Sequence, residues 1–181
     1  MDKLLPRLLV CDDDPSVIEA YKIVLESMCK EGNAQDLFRL QKVEDELFGD
    51  SLLPDYPVEW NIDYVTSGEA AVASVRHAIA EGYEYSAAFL DVRMPPGMDG
   101  HEAAKQIRAL DPSVNIVIIT GYCDYTVEDF EKVAGPGPRL TVLMKPVWPD
   151  QLRAVVRGLP NREIDWEHSA SVVELPAARL R

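Results

Sequence analysis

The chain has 181 residues, which suffices for one domain with a substantial core and argues against a second full domain. Its 47% hydrophobic and 27% charged residues are typical of a globular protein. The formal net charge of −13 argues against direct binding of nucleic acid, because phosphate backbones are bound by clusters of Lys and Arg.

Strand-length apolar runs alternate with helix-length amphipathic segments along the chain. The predicted elements, in chain order, are a strand at 7–11, a helix from 15, a strand at 58–64, a helix from 67 to 82, a strand at 87–91, a helix at 101–110, a strand at 114–119, a helix around 127–133, a strand at 140–144 and a helix around 152–159. Strict alternation at 58–64 indicates an edge strand or one solvated face. Five successive βα units predict a doubly wound α/β fold with a mostly parallel sheet.

Two segments do not fit a minimal domain of five βα units. The stretch at about 29–57 is too long for one turn and carries apolar residues at helical spacing, so we expect an inserted or prolonged helix and a loop. The segment 161–181 has few large apolar residues, so we expect it to dock on the domain or to be disordered. The predicted domain therefore spans 1–160.

Polar side chains follow four of the predicted strands. They are Asp12, Asp13 and Asp14 after the first strand, Asp91 at the end of the third, Thr120 after the fourth and Lys145 after the fifth. In doubly wound folds, ligands bind outside the carboxyl ends of the strands, where the strand order reverses. Crowded carboxylates repel one another, and Mg²⁺ offsets this repulsion because it prefers oxygen ligands. These residues predict a Mg²⁺ site, with Asp14 assigned instead to the N-cap of the first helix.

Neither a membrane span nor a secretory signal is visible in the sequence. No run of about 18 apolar residues occurs, and Met1 is followed by charged residues instead of a long apolar core. Cys11, Cys29 and Cys123 are odd in number and lack the spacing of metal ligands, which indicates reduced thiols. We therefore expect a cytoplasmic protein that does not contact membranes.

Five short motifs follow one another at the expected strand and loop ends. They are Val10-Cys11-Asp12-Asp13-Asp14-Pro15, Leu90-Asp91-Val92-Arg93-Met94-Pro95, Met98-Asp99-Gly100, Ile119-Thr120-Gly121 and Met144-Lys145-Pro146. Over nearly its whole length the chain thereby resembles the receiver domain of bacterial two-component response regulators. The resemblance implies a flavodoxin-like fold, with a five-stranded parallel sheet of order 2-1-3-4-5 and helices on both faces.

The resemblance implies that Asp91 is the phosphoacceptor, which takes a phosphoryl group from a phosphohistidine and becomes an acyl phosphate. Thr120 would donate a hydrogen bond to one phosphoryl oxygen and Lys145 would pair with another, with a cis peptide bond between Lys145 and Pro146. Phosphoryl transfer needs these residue types, because its loose transition state is stabilised mainly by positioning and charge neutralisation. A carboxylate also attacks at neutral pH without activation.

The resemblance also implies how Mg²⁺ is bound. Asp13 and Asp91 would be direct ligands, and Asp12 would hold a water molecule of the ion. The backbone carbonyl of Arg93 would complete the ligands that the protein supplies.

The same resemblance implies a signalling module and not an enzyme with a separate substrate. Its phosphoryl donor would be a sensor histidine kinase or a histidine phosphotransfer protein, and self-catalysed hydrolysis would reset it. Phosphorylation would bias a two-state surface, formed by the fourth helix, fifth strand and fifth helix, that a downstream protein partner reads. A homodimer is compatible with this scheme.

Three features depart from the usual receiver pattern. Val142 replaces the aromatic residue that usually stands on strand five, with Tyr122 and Tyr125 as candidates to take over its coupling to the threonine. The loop after Asp91 is one residue longer, and the insertion at about 29–57 is unusual. These departures indicate a divergent subfamily, similar to the receivers attached to hybrid sensor kinases.

Two alternative interpretations stay open. Asp12-Asp13-Asp14 also resembles the D-x-D motif of haloacid-dehalogenase-type phosphatases, which likewise use a threonine, a lysine and Mg²⁺. That family needs a pair of acids at the end of a further strand, and it leaves Asp91 unexplained. The other alternative is a receiver that binds partners without phosphorylation, which the missing aromatic at Val142 favours slightly.

Overall fold

Residues 6–30, 60–121, 125–134 and 139–159 are described by the computed structural model of the protein, without the side chains of residues 29, 30, 127, 133 and 134. The predicted insertion beyond residue 30, the candidate Tyr122 and the predicted tail at 161–181 lie outside the described residues. No helix within the described ranges is long and apolar enough to cross a lipid bilayer.

Strands and helices alternate strictly through the described residues. They are β1 (Arg7–Cys11), α1 (Pro15–Lys30), β2 (Asn61–Val65), α2 (Gly68–Ala80), β3 (Ala87–Asp91), α3 (Gly100–Leu110), β4 (Asn115–Thr120), α4 (Val127–Ala134), β5 (Leu140–Met144) and α5 (Pro149–Arg157). The predicted order of the elements is confirmed, and their ends differ from the prediction by only a few residues.

All five strands are parallel and lie in the order β2-β1-β3-β4-β5. The predicted doubly wound fold and its strand order are therefore confirmed. β2 is an edge strand, as its alternating pattern indicates, and Trp60, Ile62 and Tyr64 pack on one side of the sheet. β1 and β3 are neighbours at the point where the strand order reverses, which is where folds of this kind bind ligands.

The core consists of two apolar layers, one on each face of the sheet. Successive residues of a strand point to opposite faces, so Leu8 and Val10 enter one layer while Leu9 enters the other. α1 and α5 cover the first layer, and α2, α3 and α4 cover the second. Burial of one large apolar side chain stabilises the fold by about 2 kcal/mol, so both layers hold the strand ends in place.

Helix starts are set by capping side chains in the segments that follow β1, β2 and β3. Asp14 Oδ1 accepts a hydrogen bond from the Ser16 amide at 2.8 Å, which confirms Asp14 as the N-cap of α1. Ser67 caps α2 and Asp99 caps α3, each through a side-chain oxygen that accepts a first-turn amide. The cap at Asp99 explains why α3 begins at Gly100, one residue before the predicted start.

Candidate functional site

The carboxyl ends of β1, β3, β4 and β5 meet at one edge of the sheet and surround a depression of about 280 Å³. Parallel strands deliver their carboxyl ends to the same edge, so residues as far apart in sequence as Asp12 and Lys145 become neighbours. The structure brings together the residues singled out from the sequence, since the lining includes Asp12, Asp13, Asp91, Arg93, Thr120 and Lys145.

The Lys145 ammonium group lies between two buried carboxylates. Its Nζ atom is 2.8 Å from Asp12 Oδ2 and 2.8 Å from Asp91 Oδ1. Asp12 is 1% exposed and Asp91 is 5% exposed, so both carboxylates are removed from solvent. Buried charges are tolerated when they are paired, and Lys145 pairs with both.

The site nevertheless has more negative than positive charge. Burial is the main cause that raises the pKa of Asp91; Lys145 opposes the shift, and the charges of Asp12 and Asp13 add to it. Burial alone would lower the pKa of Lys145, but its hydrogen bonds to Asp12 and Asp91 raise it overall. A raised pKa means that the ionised form of Asp91 is disfavoured by burial, and a further cation nearby would stabilise that form.

Three carboxylates are close enough to share one cation. One oxygen from each of Asp12, Asp13 and Asp91 can be chosen so that the three oxygens lie within 4.8 Å of one another. All three donors are hard oxygen atoms, which suits Mg²⁺ and not a soft metal. Arg93 lines the same depression. The residues present therefore fit the ion that the sequence predicts.

Asp12 is oriented from two sides. Its Oδ1 atom accepts a hydrogen bond from the Asp14 amide at 3.0 Å, while Oδ2 pairs with Lys145. The Asp14 carboxylate has a different use, because the hydrogen bond from the Ser16 amide caps α1 and lowers the pKa of Asp14. Asp14 borders the depression but is not one of the three carboxylates that lie close together.

The pairing of β4 with β5 sets the positions of Thr120 and Lys145. Thr120 is the register partner of Met144, and the Lys145 amide donates a hydrogen bond to the Thr120 carbonyl oxygen at 2.7 Å. Thr120 is buried. The Lys145–Pro146 peptide bond is cis, as predicted. The paired ends of β4 and β5 therefore carry the Thr120 hydroxyl and the Lys145 ammonium group.

The loop after Asp91 is held at the site by contacts that sequence reasoning missed. The Gly100 amide donates to the Val92 carbonyl at 3.0 Å, and a Cβ atom on Gly100 would lie only 2.0 Å from the Asp91 carbonyl oxygen. On its other side, Glu69 of α2 accepts a hydrogen bond from the Met98 amide at 2.7 Å. Gly100 belongs to one of the quoted motifs, whereas no local pattern marks Glu69.

Cys11 ends β1 directly before the acidic residues, yet its thiol belongs to the core. Its Sγ atom donates to the Ser67 carbonyl oxygen at 3.2 Å and lies 3.2 Å from Met94 Sδ. Burial, assisted by the charges of Asp12 and Asp91, raises the pKa of Cys11 to about 12. The thiol is therefore protonated at neutral pH and does not compete with the carboxylates as a ligand for a hard cation.

We expect Cys11 to react about a thousandfold more slowly with iodoacetamide at about pH 8 than an ordinary thiol, because its thiolate fraction is lower by that factor. Mass spectrometry of the peptide that contains Cys11 measures this rate in the native protein and in urea. The unfolded chain should react at the ordinary rate. Equal rates in the two conditions would contradict the buried, protonated thiol.

Comparison with solved structures shows the same fold in receiver domains. A CheY-like response regulator receiver domain protein from Methanospirillum hungatei is 21% identical, with a TM-score of 0.55, over 84% of this chain and 91% of that chain. The signal receiver domain of a modulated diguanylate cyclase from Desulfovibrio desulfuricans is 23% identical, with a TM-score of 0.53, over 86% of this chain and 93% of that chain. The CheX–CheY complex with BeF3 and magnesium from Borrelia burgdorferi matches with 17% identity and a TM-score of 0.55, over 84% of this chain and 85% of that chain.

A family model extends the comparison from fold to family. The model of the response regulator receiver domain matches residues 50–157, more than half of the chain. β1 and its acidic residues precede the matched range, and the sheet places them beside β3, which ends at Asp91. The resemblance stated from the five motifs is thereby confirmed, and this chain belongs to the response regulator receiver domain family.

Proposed function

We propose that this receiver domain accepts a phosphoryl group on Asp91 from the phosphohistidine of a sensor histidine kinase or a histidine phosphotransfer protein. The observation that carries the proposal is the position of the Lys145 ammonium group, 2.8 Å from both Asp12 and Asp91, beside three clustered carboxylates. The phosphorylated form would present a changed surface to a downstream protein partner in the cytoplasm. The chain is then a switch and not an enzyme with a separate substrate.

In the proposed reaction, an oxygen of the Asp91 carboxylate attacks the phosphorus in line with the bond to the histidine nitrogen. The new P–O bond forms as the P–N bond breaks, and the histidine nitrogen keeps the electron pair. The Lys145 ammonium group is already 2.8 Å from Asp91, near enough to offset charge on a phosphoryl oxygen bound there. Thr120 would donate its hydroxyl hydrogen to another oxygen, and water would later hydrolyse the acyl phosphate with the same residues.

Mg²⁺ would be held by Asp13 and Asp91 directly, by Asp12 through a water molecule and by the Arg93 carbonyl. The ion would supply positive charge for the equatorial phosphoryl oxygens. The clustering of the three carboxylates supports this assignment, because one oxygen from each can be chosen so that the three lie within 4.8 Å of one another.

The phosphatase alternative has weaker support. Its D-x-D motif would need the Asp14 carboxylate, which caps α1 instead. It also gives no role to Asp91, which is buried at the end of β3 and paired with Lys145. Within the described ranges, no strand follows β5 to carry the acids that this family needs. A module that acts without phosphorylation leaves the buried, paired carboxylates unexplained.

Incubation of the purified chain with Mg²⁺ and acetyl phosphate, followed by intact-mass spectrometry, tests the proposal. We expect wild type to gain one phosphoryl group and Asp91→Asn to gain none. Asp14→Asn is the matched control and should gain the group, because asparagine caps a helix as well as aspartate does. EDTA should abolish the gain.

Three results would decide against the proposal. A label that persists in Asp91→Asn would remove Asp91 as the phosphoacceptor. Turnover of a generic phosphatase substrate that is lost in Asp12→Asn but kept in Asp91→Asn would favour the phosphatase. Absence of label under every condition, with a phosphorylated histidine phosphotransfer protein as an additional donor, would favour the module that acts without phosphorylation.

A further inference from the structure

Three aromatic rings join α3 to α4; we call His101, Tyr125 and Phe130 the aromatic cluster. The Tyr125 ring, just before α4, stacks on the His101 ring of α3, with centroids 4.4 Å apart and planes inclined by 2°. Phe130 of α4 is tilted against both rings, 5.7 Å from His101 and 5.6 Å from Tyr125 between centroids. The rings are in contact, so Tyr125 packs against both α3 and α4.

The Tyr125 hydroxyl connects the aromatic cluster to the start of α3. It donates a hydrogen bond to Asp99 Oδ2 at 3.0 Å, while Asp99 Oδ1 caps α3 by accepting the Glu102 amide at 2.8 Å. Hydrogen bonds to a carboxylate are stronger than those between neutral groups. Tyr125 therefore restrains the N-cap residue of α3.

The residue after Asp99 packs directly on the backbone of the proposed phosphoacceptor. Gly100 donates its amide hydrogen to the Val92 carbonyl oxygen at 3.0 Å, and a Cβ atom on Gly100 would lie 2.0 Å from the Asp91 carbonyl oxygen. This close approach leaves no free space, so a shift of the Asp91 backbone displaces Gly100 and its neighbour Asp99. Asp91 is therefore connected to Tyr125 through the backbone of Gly100 and the side chain of Asp99.

β5 lacks a side chain that makes this kind of connection. Val142 is partly buried against the same core layer as the aromatic cluster, and valine has no hydrogen-bonding group. Met144, two residues further along the strand, is 51% exposed. Tyr125 makes the hydrogen bond to the loop after Asp91 that Val142 has no group to make.

We propose that Tyr125, through its hydrogen bond to Asp99, is the positioning residue by which phosphorylation of Asp91 alters α4, in place of an aromatic residue on β5. This inference rests on the proposed function and adds the contact that transmits the switch. The hydrogen bond can shift the equilibrium between the unphosphorylated and phosphorylated conformations if it is formed in one of them and broken in the other. Couplings between sites change an equilibrium about 5- to 150-fold.

The rate of amide hydrogen exchange in α4, residues 127–134, measures this coupling. The rate is compared between the untreated protein, the protein with Mg²⁺ and beryllium fluoride as a phosphoryl mimic, and the protein labelled with acetyl phosphate. In wild type, the amide exchange rate of α4 should differ between the untreated protein and the phosphorylated or mimic-bound protein. Tyr125→Phe keeps the stacked ring and removes only the hydroxyl, so Asp91 should still be labelled while the change in α4 falls at least about fivefold. Asp99→Ser keeps an N-cap hydroxyl but is too short to reach Tyr125, and should give the same loss.

Glu69→Gln is the matched control. It weakens the hold on the same loop from the α2 side, because the charged acceptor of the Met98 amide becomes neutral. Glu69 takes part neither in the ring contacts of the aromatic cluster nor in the hydrogen bond from Tyr125 to Asp99. The change in α4 exchange should therefore stay within about twofold of wild type.

The possible results separate the inference from the function on which it rests. A labelled Tyr125→Phe with a change in α4 of wild-type size would overturn the inference alone. An equal loss in Glu69→Gln would also overturn it, because the loop as a whole and not Tyr125 would carry the signal. A labelled wild type whose α4 does not respond would do the same. A wild type that stays unlabelled with acetyl phosphate and with a phosphorylated histidine phosphotransfer protein would overturn the proposed function, which the intact mass reports independently.

Discussion

Replacement of Lys145 by alanine is expected to lower the free energy of unfolding by about 3 kcal/mol in metal-free buffer near neutral pH. The substitution leaves the carboxylates of Asp12 and Asp91, which are 1% and 5% exposed, without the ammonium group 2.8 Å from each. We also expect phosphorylation of Asp91 by acetyl phosphate to slow about a hundredfold, because a preorganised charge near the phosphoryl oxygens is lost. Added Mg²⁺ should restore part of the lost stability.

The stability difference between Lys145→Ala and wild type should shrink as the pH is lowered. Burial raises the pKa of Asp91 and Lys145 opposes that shift, so removal of Lys145 raises the pKa of Asp91 further. A carboxyl group whose pKa is higher in the folded than in the unfolded state binds more protons when folded. The free energy of unfolding therefore rises as the pH falls toward the raised pKa.

Lys105→Ala is the matched control for the lost positive charge. The Lys105 ammonium group is 3.6 Å from Glu102 on the surface of α3 and its side chain is 60% exposed, so its loss should leave the stability near that of wild type. Urea unfolding of the three proteins at about pH 7 and about pH 5.5 measures the differences. Equal stability of Lys145→Ala and Lys105→Ala at neutral pH would refute the described ion pairs.

Gly100→Ala is expected to lower the free energy of unfolding by about 2–3 kcal/mol. A Cβ atom there would lie 2.0 Å from the Asp91 carbonyl oxygen and 2.8 Å from its carbonyl carbon, so the backbone of α3 or β3 must move. A displaced Asp91 should take up a phosphoryl group at least about tenfold more slowly, because in-line attack depends on position. Urea unfolding and the rate of mass gain with acetyl phosphate measure the two effects.

Gly121→Ala is the control beside the same site. Its Cβ atom would lie 3.6 Å from Lys145 Cβ, an ordinary contact, and Gly121 has no positive φ. We expect a stability equal to that of wild type or slightly higher, because alanine restricts the unfolded chain. Equal free energies of unfolding for Gly100→Ala and Gly121→Ala would show that Gly100 does not pack closely on the Asp91 backbone.

The sequence predicts much of the fold and the site because those features follow from local patterns. Each strand and helix buries one face, so apolar periodicity predicts the order of the elements. The Asp14 N-cap needs only the Ser16 amide two residues later. Polar residues at strand ends predict the site, because parallel strands end at one edge. Asp12 and Lys145 are 133 residues apart in sequence and 2.8 Å apart in space for this reason.

Contacts between separate segments were beyond sequence reasoning. The hydrogen bond from the Met98 amide to Glu69 depends on how the loop after β3 packs against α2. The bond from Tyr125 to Asp99 depends on how the segment before α4 packs against the start of α3, which no local pattern predicts. The raised pKa of Asp91 is set mainly by burial, which depends on the packing of the whole sheet edge.

Borohydride reduction of the phosphorylated wild-type protein tests most directly whether Asp91 carries the phosphoryl group, because it needs no substitution. Borohydride transfers hydride to the acyl carbon, phosphate leaves, and a second hydride reduces the aldehyde, so that the labelled aspartate becomes homoserine. Tandem mass spectrometry of the peptide that contains β3 then locates the reduced residue. We predict homoserine in place of Asp91, in the fraction of molecules that the intact mass shows as labelled. Homoserine in place of Asp12 or Asp13, or a label carried by a histidine, would contradict the assignment of Asp91 as the phosphoacceptor.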